Sequence, residues 1–142
     1  MSDGEGALDQ YWAFLKETYK QDYSEIAADH IAYPRNTLEL EAHNGFGIAY
    51  EQGEDNIAVW INVDSNIITD VAFTCNDCPA CTASGSAVTE MARGQNLETV
   101  RQLSVQEVVN FLGGLPEDKI PCAELALTAI REAAGDYLAS QE

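Results

Sequence analysis

Positively charged residues are scarce in this 142-residue chain, which has 7 lysines and arginines against 24 aspartates and glutamates. The formal net charge is −17 at neutral pH, and a field of that sign repels the phosphate backbone of nucleic acids. We therefore expect no nucleic-acid partner. Solubility alone would account for such acidity, and a basic protein surface steered in by the charge is the functional alternative.

Long apolar runs are also missing, because no stretch reaches the roughly 18 residues that indicate a membrane span. The first residues, Met1 to Gly6, lack the basic and apolar regions of a signal peptide. These absences predict a cytoplasmic protein with no membrane partner. In that reducing compartment, clustered cysteines are more often ligands or redox groups than disulfides.

Repeats, linkers and low-complexity segments are absent too, and the length suits a single domain. We predict one domain over residues 1–142, in which residues 1–22 form an N-terminal helical extension. Apolar residues recur at helical spacing before Pro34 and again after Cys81, and they alternate in three short stretches between Phe46 and Cys75. The predicted fold class is α+β, with a small three-stranded antiparallel sheet packed by helices.

Two helical stripes are expected before Pro34. They consist of Leu8, Trp12, Leu15 and Tyr19, followed by Tyr23, Ile26, Ala27 and His30. His30 ends an apolar stripe, which favours a packed or capping histidine over a metal ligand.

Three of the four cysteines, Cys75, Cys78 and Cys81, fall within seven residues, and Cys122 follows far downstream. Thiolates at such spacing can hold zinc or an iron–sulfur cluster. They could instead fill the core as small hydrophobic residues, but the neighbouring Asn, Asp and Pro are poor material for a buried run.

Pro79 suits a first helical turn, which places Cys78 at the N-cap and Cys81 one turn later on the same face. Cys122 also follows a proline where a helix is expected to start. The positive end of a helix lowers the pKa of a nearby thiol and stabilises anionic sulfur. Cys75 shares strand parity with Val71 and Phe73, so it is the least certain of the four as a ligand.

Several motifs together resemble the U-type iron–sulfur cluster assembly scaffolds, the family of IscU, SufU and the N-terminal domain of NifU. The resemblance covers most of the chain and is specific through the order and spacing of its parts. These parts are Asp29-His30, Tyr33-Pro34-Arg35-Asn36, Glu39-Leu40-Glu41, Asn44-Gly45-Phe46-Gly47, the strand Ile68 to Phe73, Cys78 with Ala83-Ser84-Gly85-Ser86, and the stretch Leu115 to Cys122.

The resemblance implies a small antiparallel sheet packed by helices, carrying a site of three cysteines helped by an aspartate or a histidine. It also implies a function, in which a cysteine desulfurase delivers sulfur and the finished cluster passes to accepting apoproteins. The protein would then be a scaffold rather than an enzyme.

The chain departs from the family pattern at the site itself. The family's first cysteine should fall at Gly53 or Glu54, where there is none, and Pro121 stands in place of the histidine before the last cysteine. Asp55 matches the family's aspartate. The predicted ligands are therefore Cys75, Cys78, Cys81 and Cys122, with Asp55 nearby as a supporting or exchangeable ligand.

The leading hypothesis is an assembly or carrier protein that binds a [2Fe–2S] or [4Fe–4S] cluster through these thiolates. A second is a zinc-binding regulatory module of the same fold, because zinc accepts the same donors. A third is thiol–disulfide exchange by the C-x-x-C motif from Cys78 to Cys81. No thioredoxin-like βαβ pattern surrounds that motif, which makes the third the least favoured.

Overall fold

A three-stranded antiparallel sheet forms the centre of the computed structural model, which describes residues 3–51, 55–76 and 78–141. Its strands lie in chain order: β1 (Gly45–Tyr50), β2 (Asn56–Asp64) and β3 (Ile67–Cys75). Six helices accompany it in the described residues: α1 (Asp3–Tyr19), α2 (Glu25–Ala32), α3 (Pro79–Ala92), α4 (Leu97–Arg101), α5 (Val105–Phe111) and α6 (Ile120–Ser140). The predicted α+β class and the three-stranded meander are confirmed.

The turn between β2 and β3 has the chemistry that its sequence indicates. Ser65 and Asn66 both adopt positive φ angles, of 51° and 68°, and asparagine tolerates that region better than most residues do. The following strand buries Ile68, Val71 and Phe73 on the side that faces the helices. The strand alternation seen in the sequence therefore reflects one covered face.

Strand β1 buries its small residues and exposes its large ones. Gly45, Gly47 and Ala49 point inward, whereas Tyr50 is 72% exposed. A Cβ atom added at Gly47 would overlap the carbonyl oxygen of Ala129 in α6. The glycine therefore lets the backbones of β1 and α6 touch.

Helix α6 lies across the inner face of the sheet and buries nine of its residues. Its buried positions are Cys122, Ala123, Leu125, Ala126, Leu127, Ala129, Ile130, Ala133 and Ala134. Five of these nine are alanines, whose small side chains permit the close contact with β1. This helix positions Cys122 against the end of the sheet.

The N-terminal helices pack against each other, and α2 also packs against α3. Ser24 caps α2 by accepting the backbone N–H of Ala27 at 2.9 Å, and Lys16 of α1 forms an ion pair with Asp29 at 3.3 Å. The predicted stripe of α1 is only partly covered, since Leu8 is 54% exposed. None of the helices in the described ranges is long and apolar enough to cross a membrane.

Candidate metal centre

The first turn of α3 presents two thiols. Cys78 is the N-cap residue, with extended backbone angles, and its sulfur accepts the backbone N–H of Cys81 at 3.4 Å. Pro79 occupies the first helical turn, where its missing N–H costs nothing. The predicted cap and turn are confirmed. Cys81 is fully buried and Cys78 is half-buried.

The first turn of α6 supplies a third thiol. Pro121 lies in this turn, and Cys122 beside it is 4% exposed. No side chain among the described residues caps the start of α6, and the positive end of the helix dipole there favours a negatively charged neighbour. A thiolate at Cys122 is such a neighbour.

Asp55 enters the site from the residues that lead into β2, held by Asn76. The side-chain amide of Asn76 donates to the Asp55 carboxylate at 3.1 Å, and its oxygen accepts the backbone N–H of Asn56 at 3.0 Å. Asn76 therefore braces the start of β2 against the end of β3. Sequence reasoning missed this residue, although its place between Cys75 and Cys78 was a signal.

Four potential ligand atoms converge between these elements. The sulfur atoms of Cys78, Cys81 and Cys122 and a carboxylate oxygen of Asp55 all lie within 4.8 Å of one another. Cysteines 41 and 44 positions apart in the chain, from the starts of α3 and α6, are thus brought to one point. We call this group the donor set.

The thiols interact strongly even without a bound metal. The hydrogen bond to Cys122 raises the pKa of Cys81, and burial and Cys78 raise it further. The same bond lowers the pKa of Cys122, against the effect of its burial. Burial raises the pKa of Cys78. Cys122 is therefore the thiol that ionises first, with the thiol of Cys81 donating to it.

Tyr23 lines a small depression together with Pro116 and Lys119. Burial raises the pKa of the Tyr23 hydroxyl, and the negative charges of Cys78 and Cys122 add to the effect. The sequence placed Tyr23 only on a helical stripe. The structure places it within electrostatic reach of two thiols.

Cys75 does not join the donor set. It ends β3, half-buried, and its sulfur lies 3.5 Å from the hydroxyl of Thr82. Thr82 in turn donates to the backbone carbonyl of Cys78 at 3.1 Å. Of the five residues predicted at the site, the structure brings four together and leaves Cys75 beside them. Gly53 and Glu54, where the family's first cysteine was expected, lie outside the described residues.

Three thiolates and one carboxylate form a donor set that suits soft or borderline metals. Sulfur favours zinc and iron–sulfur chemistry, whereas a hard carboxylate is the weakest member of such a group. The residues present therefore fit a thiolate-bound metal centre with one ligand that exchanges more readily than the others.

A comparison with known families decides what this fold and this site belong to. The family model described as "NifU-like N terminal domain" matches residues 22–142. The chain belongs to the NifU-like N-terminal domain family. This membership confirms the resemblance seen in the sequence, and helix α1 lies before the matched region.

Relatives in this family are named for cluster assembly. The chain is 36% identical over 116 residues to an "Iron-sulfur cluster assembly scaffold protein IscU 1" of Archaeoglobus fulgidus, covering 81% of this chain and 76% of that protein. It is 35% identical over 124 residues to the scaffold protein IscU of Haemophilus influenzae, covering 84% and 98%.

Solved structures of the family share the fold at lower identity. The NifU-like N-terminal protein of Brucella abortus matches with a TM-score of 0.62 at 13% identity, over 80% of this chain and 92% of the other. A putative scaffold protein for the SUF system from Fervidobacterium islandicum gives a TM-score of 0.61 at 16% identity, over 79% and 96%. These likenesses confirm the fold.

Proposed function

We propose that this protein is a scaffold that receives, holds and passes on an iron–sulfur cluster, bound through Cys78, Cys81, Cys122 and Asp55. The observation that carries the proposal is the convergence of these four ligand atoms within 4.8 Å. Iron–sulfur clusters are commonly held by thiolates, and the family's relatives are named as assembly scaffolds. The cluster is the cargo of such a protein rather than a resident group.

Cys81 supplies the third thiol in place of the family's first cysteine, which is missing at Gly53 or Glu54. The family pattern expects a cysteine in the loop before Asp55, and this chain has none there. Cys81 lies fully buried in the first turn of α3, its backbone N–H donates to the sulfur of Cys78, and its own sulfur lies within 4.8 Å of that of Cys122. Three thiolates are thereby retained, although one comes from a helix instead of a loop.

The partners that follow from this function are a cysteine desulfurase, which supplies sulfur, and apoproteins that accept the cluster. The chain binds and transfers its cargo without turning over a substrate, so it is a scaffold rather than an enzyme. The three thiols of the donor set, Cys78, Cys81 and Cys122, form no disulfide, and the reducing cytoplasm predicted from the sequence would keep them available. The formal charge of −17 favours partners with basic surfaces.

Zinc is a second candidate occupant, favoured by the compactness of the donor set. Tetrahedral zinc with bonds of about 2.3 Å places its sulfur ligands roughly 3.8 Å apart, close to the separations of at most 4.8 Å seen here. A cluster distributes the same ligands over two or more irons. The donors would then have to move apart.

Anaerobic reconstitution with iron and sulfide tests the proposal. The reconstituted protein is expected to be brown and to contain iron and acid-labile sulfide in defined ratio. Colorimetric iron and sulfide assays, zinc analysis and an absorbance spectrum distinguish the outcomes. Transfer of the cluster to an apo-ferredoxin then tests whether the bound cargo is released.

The matched control is the Cys75→Ser variant, which removes a thiol outside the donor set. Its iron and sulfide content should equal that of the unmodified protein. A colourless protein that holds stoichiometric zinc after careful reconstitution would support the second candidate. A cluster that forms but is never transferred to apo-ferredoxin would be a permanently bound group and would contradict the scaffold role.

A further inference from the structure

The outer edge of β1 is open over part of its length. Glu51 donates its backbone N–H to the carbonyl of Asp55 at 2.9 Å, so in an antiparallel ladder the residues that bond to β2 alternate with residues that face away. The backbone N–H and C=O groups of Phe46, Ile48 and Tyr50 point away from β2, towards the open edge. Asp136 accepts the N–H of Phe46 at 2.9 Å. Among the described residues, no hydrogen bond reaches the outward amides of Ile48 and Tyr50.

A groove follows this edge between β1 and α6. It consists of two depressions, of about 420 and 450 Å³, that share Ile48 and Glu132 in their walls. Ile48, Ala49 and Leu125 give it apolar surface. An extended chain laid in this groove would meet the free N–H and C=O groups of β1.

The groove has an acidic rim. Glu51, Glu124, Glu132 and Asp136 line it. Arg131 lies in its wall, but its guanidinium donates to the backbone carbonyl of Leu103. Edge strands are normally protected against pairing by charges, and these four are all negative. The charge therefore repels a second copy of this chain, which carries −17 itself, and attracts a basic segment.

We propose that the open edge of β1 docks an extended segment of a partner protein, rich in lysine or arginine, which adds to the sheet as a fourth strand. Main-chain hydrogen bonds would give affinity, and the acidic rim would select the basic side chains. One end of the groove reaches Pro121, next to Cys122. That the partner exchanges clusters rests on the proposed function, whereas the docking itself rests on the edge and the groove alone.

A labelled synthetic peptide tests this surface. The probe is acetyl-Lys-Val-Lys-Val-Lys-Val-amide. Its comparison peptide carries an N-methyl group on every backbone amide, which keeps the charge and removes strand pairing at both edges of the peptide. Binding to the metal-free, reduced full chain is measured by fluorescence anisotropy. We expect the unmethylated peptide to bind at least tenfold more tightly. Hydrogen exchange at the Ile48 and Tyr50 amides should slow in the complex.

Charge variants locate the site. The pair Glu124→Gln and Glu132→Gln should weaken binding at least fivefold. The matched control pair Glu17→Gln and Glu25→Gln makes the same charge change on α1 and α2, where both glutamates form ion pairs with Lys20. It should leave binding within twofold.

Three results would overturn the proposal. Equal binding of the N-methylated peptide would show attraction by charge without strand pairing, and equal effects of the two glutamate pairs would place the peptide elsewhere. A dimer in analytical ultracentrifugation that the peptide dissociates would make a second copy the occupant. Because the protein is metal-free in this assay, failure of docking leaves the cluster-loading result untouched, and failure of loading leaves docking untouched.

Discussion

Helix α3 has a polar cluster at each of two levels, and they are built in opposite ways. At its first turn, Cys78 and Cys81 meet Cys122 and Asp55, and the thiols bond chiefly to one another. Near its middle, Ser86 joins His30 at 2.7 Å and the backbone N–H of Arg35 at 2.9 Å. The second cluster is satisfied internally.

This difference indicates that the first cluster is a binding site and that the second stabilises the fold. Groups whose bonding capacity is filled by fixed partners stabilise the fold, because unpaired buried polar groups are costly. The thiols of the donor set have weak sulfur contacts and one backbone N–H as partners, and they lose little when an outside atom replaces those weak bonds. Substitutions in the first cluster should therefore change cargo binding, and substitutions in the second should change stability.

The largest effect is expected from removing a thiol of the donor set. Cys78→Ser, Cys81→Ser and Cys122→Ser each replace one of three soft donors with a hard hydroxyl. Each variant should lose most of its iron and sulfide on reconstitution while unfolding near the same urea concentration as the unmodified protein. If Cys81→Ser retained a full cluster, a residue other than Cys81 would be the third ligand, and the proposed donor set would be wrong.

Ser86→Ala should destabilise the fold by about 2 kcal/mol, because two buried partners lose their hydrogen bond. Its matched control lies two residues away. Ser84 is also fully buried, but no described residue bonds its hydroxyl, so Ser84→Ala should change the free energy of unfolding by less than about 0.5 kcal/mol. Urea denaturation measures both, and equal destabilisation would remove the contrast between them.

Asn76→Ala tests the residue that holds Asp55. Loss of an outer hydrogen-bond partner typically weakens metal binding about tenfold or more, and the Asp55 carboxylate loses the amide that fixes it at 3.1 Å. Cluster loss to a chelator should accelerate by a similar factor. Asn110→Ala, on the exposed surface of α5, is the control and should leave the rate unchanged.

The pH dependence of stability should report His30. Burial lowers the pKa of His30, and Arg35 lowers it further, while Asp29 and Glu90 oppose the shift. The unfolded chain, with a histidine pKa of about 6.5, then takes up the proton more readily. The contribution of neutral, buried His30 to the free energy of unfolding should be fully present above that pH. It should be lost as the pH decreases below it. The slope between pH 7 and 5 should flatten in His30→Gln.

Cys75→Ser should have the smallest effect. Its sulfur contacts the hydroxyl of Thr82 at 3.5 Å outside the donor set, and serine can keep that contact. Cluster content should remain complete, and the unfolding free energy should change by less than about 1 kcal/mol. A colourless Cys75→Ser protein would restore Cys75 to the ligands predicted from the sequence.

Local patterns in the sequence carried much of this structure. Pro79 beside Cys78 predicted the N-cap, and alternation predicted the strand that ends at Cys75. His30 is packed, as its place on an apolar stripe indicated. These features depend on neighbours a few residues away, where spacing and propensity are informative.

Long-range packing was beyond those patterns. Strand periodicity in β1 did not reveal that Gly45 and Gly47 form the buried face, because only the contact with α6 makes glycine the required residue. The amide of Asn76 and the position of Cys75 likewise depend on how β2, β3 and α3 meet. The short spacing between Cys75 and Cys78 in the sequence does not determine which of the two sulfur atoms faces Cys122.

The brace formed by Asn76 and the glycine contact at Gly47 together determine how the site can change its dimensions. Asn76 joins Asp55 to the end of β3, close in the chain to Cys78 and Cys81, so three of the donors lie on one side of the site. Cys122 alone stands on α6, whose backbone rests against Gly47. The distance from Cys122 to the other three donors is therefore determined by the position of α6. We expect a methyl group at Gly47 to push α6 away from β1. Cys122 would then move relative to the other three donors, and the size of the metal centre that fits between them would change.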